Sequence, residues 1–141
     1  MRRAIQRFQV SLKAFIVRDG RVLFLREADT GCWELPGGRI DVGEETLDHA
    51  DVLARELREE LGPSFRVALG RETVSWTRWQ ESDAAFTFIL GRLCRYRDGD
   101  IVLSAEHSEL LWADGAASRA LAFPPRSGYA AALDQLWDLV T

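Results

Sequence analysis

Arg55-Glu56-Leu57-Arg58-Glu59-Glu60-Leu61-Gly62 is the stretch on which the reading of this chain turns. At 100° per residue, Leu57 and Leu61 continue a stripe begun by Leu47, Ala50, Leu53 and Ala54. The spacing predicts an amphipathic helix over 46–61, with Thr46 as N-cap and Gly62-Pro63 as its stop. Glu56, Glu59 and Glu60 fall together on one flank of that stripe. Crowding like charges this way costs roughly a few tenths of a kcal/mol per adjacent pair. Glu59 and Glu60 also occupy the helix end that disfavours negative charge. A hard divalent cation held by carboxylate oxygens offsets both costs. The helix taken alone equally allows a solvated acidic face balanced by Arg55 and Arg58.

The residues upstream separate the two readings. Five residues, 39–43, lie between Gly38 and Glu44, and Trp33-Glu34-Leu35-Pro36-Gly37-Gly38 leads into them. Together with Arg55-Glu56-Leu57-x-Glu59-Glu60-x-Gly62 this resembles the Nudix box, whose many fixed positions make a specific signal. Two departures stand out. Ten residues, 45–54, separate Glu44 from Arg55 where the family pattern has seven, and Pro63 replaces the closing apolar residue. The continuous stripe implies that the extra residues add about one turn to the helix N-terminus. Exposing Leu47 or Leu53 in a bulged loop would instead cost roughly 1.5–3 kcal/mol each. On this reading Glu44 moves away from Glu56 and acts at most through Arg55 or water.

Outward from the helix, runs suited to strands cover Phe8 to Val17, Arg21 to Leu25, Phe65 to Thr77, Ala84 to Tyr96 and Glu109 to Ala113. Asp19-Gly20 is a hairpin turn signal. Pro36-Gly37-Gly38 reads as irregular, and Ser127 as the cap of a last helix running to about Val140. Strands interleaved with two amphipathic helices predict an α/β fold. The resemblance implies a Nudix-like α/β/α sandwich with a mixed sheet, formed by residues 1–141 as a single domain.

The resemblance also implies chemistry. Glu56, Glu59 and Glu60 are the expected ligands of one to three Mg2+ (or Mn2+) ions, with the backbone of Gly38 beside them. Arg55 is expected to orient a carboxylate. Glu106, in Glu106-His107-Ser108-Glu109, is the first candidate for a distal ligand or general base, with Glu59 its rival. His107 is expected to be structural or exposed, not catalytic. For substrate binding, Arg26, Trp76 and Arg78 are candidates, although strand aromatics such as Trp76 also serve as core. The implied reaction is hydrolysis of a phosphoanhydride in a nucleoside diphosphate linked to another group, with (deoxy)nucleoside triphosphates as the default substrates. ADP-ribose, nucleotide sugars and dinucleoside polyphosphates are alternatives, and so is a non-catalytic ligand-binding module. An isomerase relying on Cys32 fits poorly with so short a chain.

Composition agrees. With 141 residues, 47% of them hydrophobic, the chain can bury a proper core. A net charge of −4 argues against a general nucleic-acid binder, whereas metal ions can supply the charge that a phosphorylated small molecule requires. No apolar run suits a signal peptide or a membrane span, and Cys32 and Cys94 form no metal-ligand pair. A small-molecule nucleotide substrate, no membrane and a cytoplasmic setting are therefore expected. Assembly as a homodimer is left open.

Overall fold

Strand β1 (Gln9–Arg18) alternates along its length. Leu12, Ala14 and Ile16 enter one core and Phe15 another. This period-two pattern places a hydrophobic layer on each side of the strand. Residues 2–140 are described by the computed structural model. Asp19 and Gly20, both at positive φ (50° and 74°), turn β1 into β2 (Arg21–Glu27) as expected for a tight hairpin. Two short strands follow, β3 (Trp33–Glu34) and β4 (Gly37–Arg39). Long strands β5 (Arg66–Gln80) and β6 (Ala85–Asp98) pair antiparallel, and β7 (His107–Ala113) pairs with β2. The sheet is mixed, because β1 runs parallel to β6 and antiparallel to β2 and β4.

Helix α1 (His49–Leu61) covers one face, where Val52, Leu53, Leu57 and Leu61 meet Leu12, Ala14, Ile16, Leu23 and Leu25. Helix α3 (Tyr129–Asp138) covers the other, packing Ala132, Leu133, Leu136 and Trp137 on Phe15, Phe24 and Ile89. A one-turn helix, α2 (Gly115–Arg119), joins them in sequence after β7. The predicted α/β/α sandwich with a mixed sheet is the observed architecture. Among the described residues no helix is long and apolar enough to cross a membrane.

Three local expectations are overturned. Helix α1 begins at His49, not near Thr46: Asp48 is the N-cap and accepts from the Ala50 amide at 2.9 Å. The additional residues stay in turns, and Leu47 is 51% exposed instead of continuing the stripe. Asp48 wins over Thr46 because its carboxylate serves the helix amides and the positive helix end together. Pro36-Gly37-Gly38 is not wholly irregular, since Gly37 and Gly38 pair with Lys13 and Leu12 of β1. Finally, Ser127 does not cap α3; Gly128, at φ 74°, holds that position with no side-chain cap bond.

Candidate active site

The β4 glycines let α1 lie against β1. Gly37 sits at φ 140°, and a Cβ there would run into the backbone of Leu12. Its amide donates to Glu60 Oε1 at 2.7 Å. A Cβ on Gly38 would meet Glu56 Oε2 at 2.5 Å, so the glycine leaves room for that carboxylate. Glu56 and Glu60 are thereby fixed at the inner edge of a cavity of about 490 Å³.

The loop after β6 completes this edge. Val102 and Ser104 amides donate to the carbonyls of Leu61 (3.0 Å) and Glu60 (3.3 Å), satisfying helix-end acceptors that would otherwise lack partners. Ile101 and Leu103 pack on the same core as α1. So anchored, the loop delivers Glu106 and His107 to the cavity, where their ligand atoms and those of Glu60 lie within 4.8 Å of one another. His107 Nε2 is 3.8 Å from Glu60 Oε2, and its buried Nδ1 has no hydrogen-bond partner.

Burial pushes the Glu60 carboxyl up to about 7; Glu56 and Glu106 add to this, against Lys13 and the Gly37 amide. Burial also raises Glu56, with Glu59 adding and Arg55 opposing. Burial and the neighbouring Lys13 lower His107, which favours neutral imidazole. A cluster of carboxylates that resist ionisation until a cation arrives, rich in hard oxygen donors, fits a divalent metal ion.

Arg55 organises the outer side of the helix. It binds Glu44 through Nη2 at 2.6 and 2.9 Å, approaches Glu56 at 3.2 Å, and meets Glu59 at 3.0 Å. The turn over residues 41–47 folds Glu44 back onto Arg55, the partner the sequence assigned to it, although by a loop and not by a longer helix. Glu59 is 58% exposed and does not line the cavity.

A second acidic group occupies the other part of the cavity. Arg78 binds Glu34 at 2.6 Å, Glu34 being buried and Arg78 half-buried. Burial alone would raise Glu34, but Lys13, a hydrogen bond from Glu27, and Arg78 outweigh it and hold the carboxyl at about 2. Sharing that hydrogen bond, together with burial, pushes Glu27 up to about 7. The Glu27 carboxyl therefore keeps its proton up to about pH 7 beside an ionised Glu34.

Of the residues expected to bind substrate, only Arg78 lines this cavity. Trp76 instead lies 8% exposed in the α3 core, with its ring centroid 5.7 Å from that of Tyr129. The strand-aromatic alternative describes it, since β5 turns that face toward α3. Arg26 reaches away to Glu109 at 3.2 Å and to the Gly31 carbonyl. Sequence reasoning passed over Lys13, Glu27 and Glu34 and treated His107 as structural or exposed. The available signal was β1 alternation, which puts Lys13 among apolar residues at the centre of a buried strand.

The NUDIX domain model matches residues 7–123. This chain belongs to the NUDIX domain family. It is 35% identical over 104 residues to a MutT-like protein of Streptomyces ambofaciens, covering 73% of this chain and 62% of that one. Among solved structures, the NUDIX fold here matches the E. coli ORF135 protein with a TM-score of 0.72 at 25% identity, over 96% of this chain and 93% of that one. It matches a UDP-X diphosphatase with a TM-score of 0.78 at 18% identity, over 98% of this chain and 65% of that one. The chain spans less than two thirds of the length of the curated relatives it matches.

Proposed function

We propose that this NUDIX domain is a pyrophosphohydrolase that cleaves a phosphoanhydride within a nucleoside diphosphate derivative, using Mg2+ or Mn2+. The observation that carries this reading is the edge of the cavity where Glu60 meets Glu106 and His107, with ligand atoms within 4.8 Å of one another, and where Glu56, one helical turn before Glu60, lines the same cavity beside Gly38. Glu56 and Glu60 would hold the metal beside the Gly38 backbone, with Glu106 as further ligand or as the base for the attacking water. When bound, the ion neutralises the diphosphate and acidifies a coordinated water.

The chain's own residues divide the remaining work. Arg55 positions Glu56 by pairing with it while Glu44 and Glu59 hold the guanidinium from outside. The exposure of Glu59 and its pairing with Arg55 favour Glu106 over it as the base. Glu34 and Arg78, locked together, present a fixed donor and acceptor edge toward the far part of the substrate. The (deoxy)nucleoside triphosphates remain the first substrates to try, and a small-molecule nucleotide fits a cavity of this size better than a nucleic acid does.

Release of phosphate and of pyrophosphate should be followed across nucleoside triphosphates, ADP-ribose, nucleotide sugars and dinucleoside polyphosphates, with Mg2+ and then with EDTA. Turnover of at least one class that EDTA abolishes is expected. Tight binding of a nucleotide without turnover under any metal would replace the reading with a ligand-binding module.

A further inference from the structure

Lys13 is a buried cation with no assigned role. Its side chain projects from the middle of β1 into the cavity, and the residue is 8% exposed. Its strand partner is Gly37, whose amide holds Glu60. Among the described residues it has neither a hydrogen bond nor an ion pair, whereas the other two cations of the cavity are engaged. Arg39 binds Asp83 and Gln9, and Arg78 binds Glu34. Lys13 lines the same cavity as both acidic groups, and its charge acts on Glu60 and Glu56 as well as on Glu34 and Glu27.

The three donors of its ammonium are met by no protein acceptor, and they call for acceptors from whatever enters the cavity. A substrate diphosphate supplies them. The metal ions would neutralise the oxygens facing Glu56 and Glu60, and those on the β1 side would still need a donor. We propose that Lys13 is a fixed diphosphate-gripping residue, binding phosphate oxygens on the side of the substrate that the metal carboxylates do not reach. The inference rests on the pyrophosphohydrolase reading. In the ligand-free protein the same ammonium is a counter-charge to four cavity-lining carboxylates, Glu27, Glu34, Glu56 and Glu60. These two duties have opposite signatures, because a lysine that binds anions also repels the incoming metal ion.

The test is calorimetric titration at pH 8 of the wild type, Lys13→Met and, in case the apolar replacement does not fold, Lys13→Gln. Each is titrated with Mn2+ alone and then, at saturating Mn2+, with methylenediphosphonate, a diphosphate that cannot be hydrolysed. The variants are expected to bind Mn2+ at least as tightly as the wild type and to bind the diphosphonate about tenfold more weakly or worse. Undiminished diphosphonate affinity in a folded variant overturns the role of Lys13 and leaves the proposed activity standing. Parallel loss of Mn2+ affinity also overturns it, by showing that Lys13 merely shapes the cavity. A wild type that binds Mn2+ but not the diphosphonate overturns the role of Lys13 and the pyrophosphohydrolase reading together.

Discussion

The cavity holds two pairs of glutamates, each with one buried member (Glu34, Glu60) and one half-buried member (Glu27, Glu56), that meet the same electrostatic problem differently. Glu34 is neutralised from within by Arg78 and held at about 2, with Glu27, raised to about 7, beside it. Glu56 and Glu60 have no comparable arrangement: Arg55 touches Glu56 at one oxygen, Glu60 receives a single amide, and burial raises both. Similar residues in one pocket thus form a finished ion pair at one end and an unfinished one at the other. Unfinished sites are where ligands bind, since the missing charge must come from outside.

The contrast breaks most visibly in turnover. Glu56→Gln or Glu60→Gln is expected to lower phosphoanhydride cleavage by about a thousandfold or more while leaving far-UV circular dichroism unchanged. Near-normal metal-dependent rates in either variant would remove the α1 carboxylates from the chemistry. Stability then separates the two groups by sign. Glu34→Gln strips a buried partner from Arg78 and should cost about 3 kcal/mol in urea unfolding. Glu60→Gln in the metal-free protein at pH 8 should instead stabilise by ~1 kcal/mol, because its amide oxygen can still accept from Gly37 and no buried charge remains.

The pH dependence sharpens the same comparison. Glu60, raised to about 7 from an ordinary value of 4.5, binds its proton more tightly folded than unfolded. Stability of the metal-free protein must therefore fall as pH rises from about 4.5 through about 7, Glu27 adding in the same direction. Melting temperature in EDTA should decline between pH 5 and pH 8, and Mn2+ should restore it far more at pH 8 than at pH 5. Equal restoration at both would mean that the metal does not need these carboxylates ionised. Glu34, held at about 2, contributes its stability throughout this window and loses it only under strong acid.

The legible half of the site is the half carried by one helix. Glu56 and Glu60 could be read because their spacing, the apolar stripe and the glycines before them are all local in sequence. The start of α1 was misread because Thr46 and Asp48 are both acceptable caps, and the choice depends on the turn that carries Glu44 back to Arg55. Asp48→Ala should cost about 1 kcal/mol, and Thr46→Ala less than about 0.5 kcal/mol, by thermal unfolding. The other half of the site is assembled from β1, β2, β3 and β5. Arg78 was among the sequence candidates, but Lys13, Glu27 and Glu34, dispersed over the chain, join it only through sheet register, which no local pattern specifies. Trp76 shows the converse: its residue type suggested a stacking surface, and the facing of β5 toward α3 made it core.

The central claim is that the cation belongs to the unfinished group. An anomalous difference map from crystals of this protein soaked in Mn2+ tests that claim most directly. The account predicts density bonded to Glu56 and Glu60 carboxylate oxygens and lying on the Glu106 side of the cavity. Density seated instead between Glu27 and Glu34, or outside on Glu44 and Glu59, would contradict it.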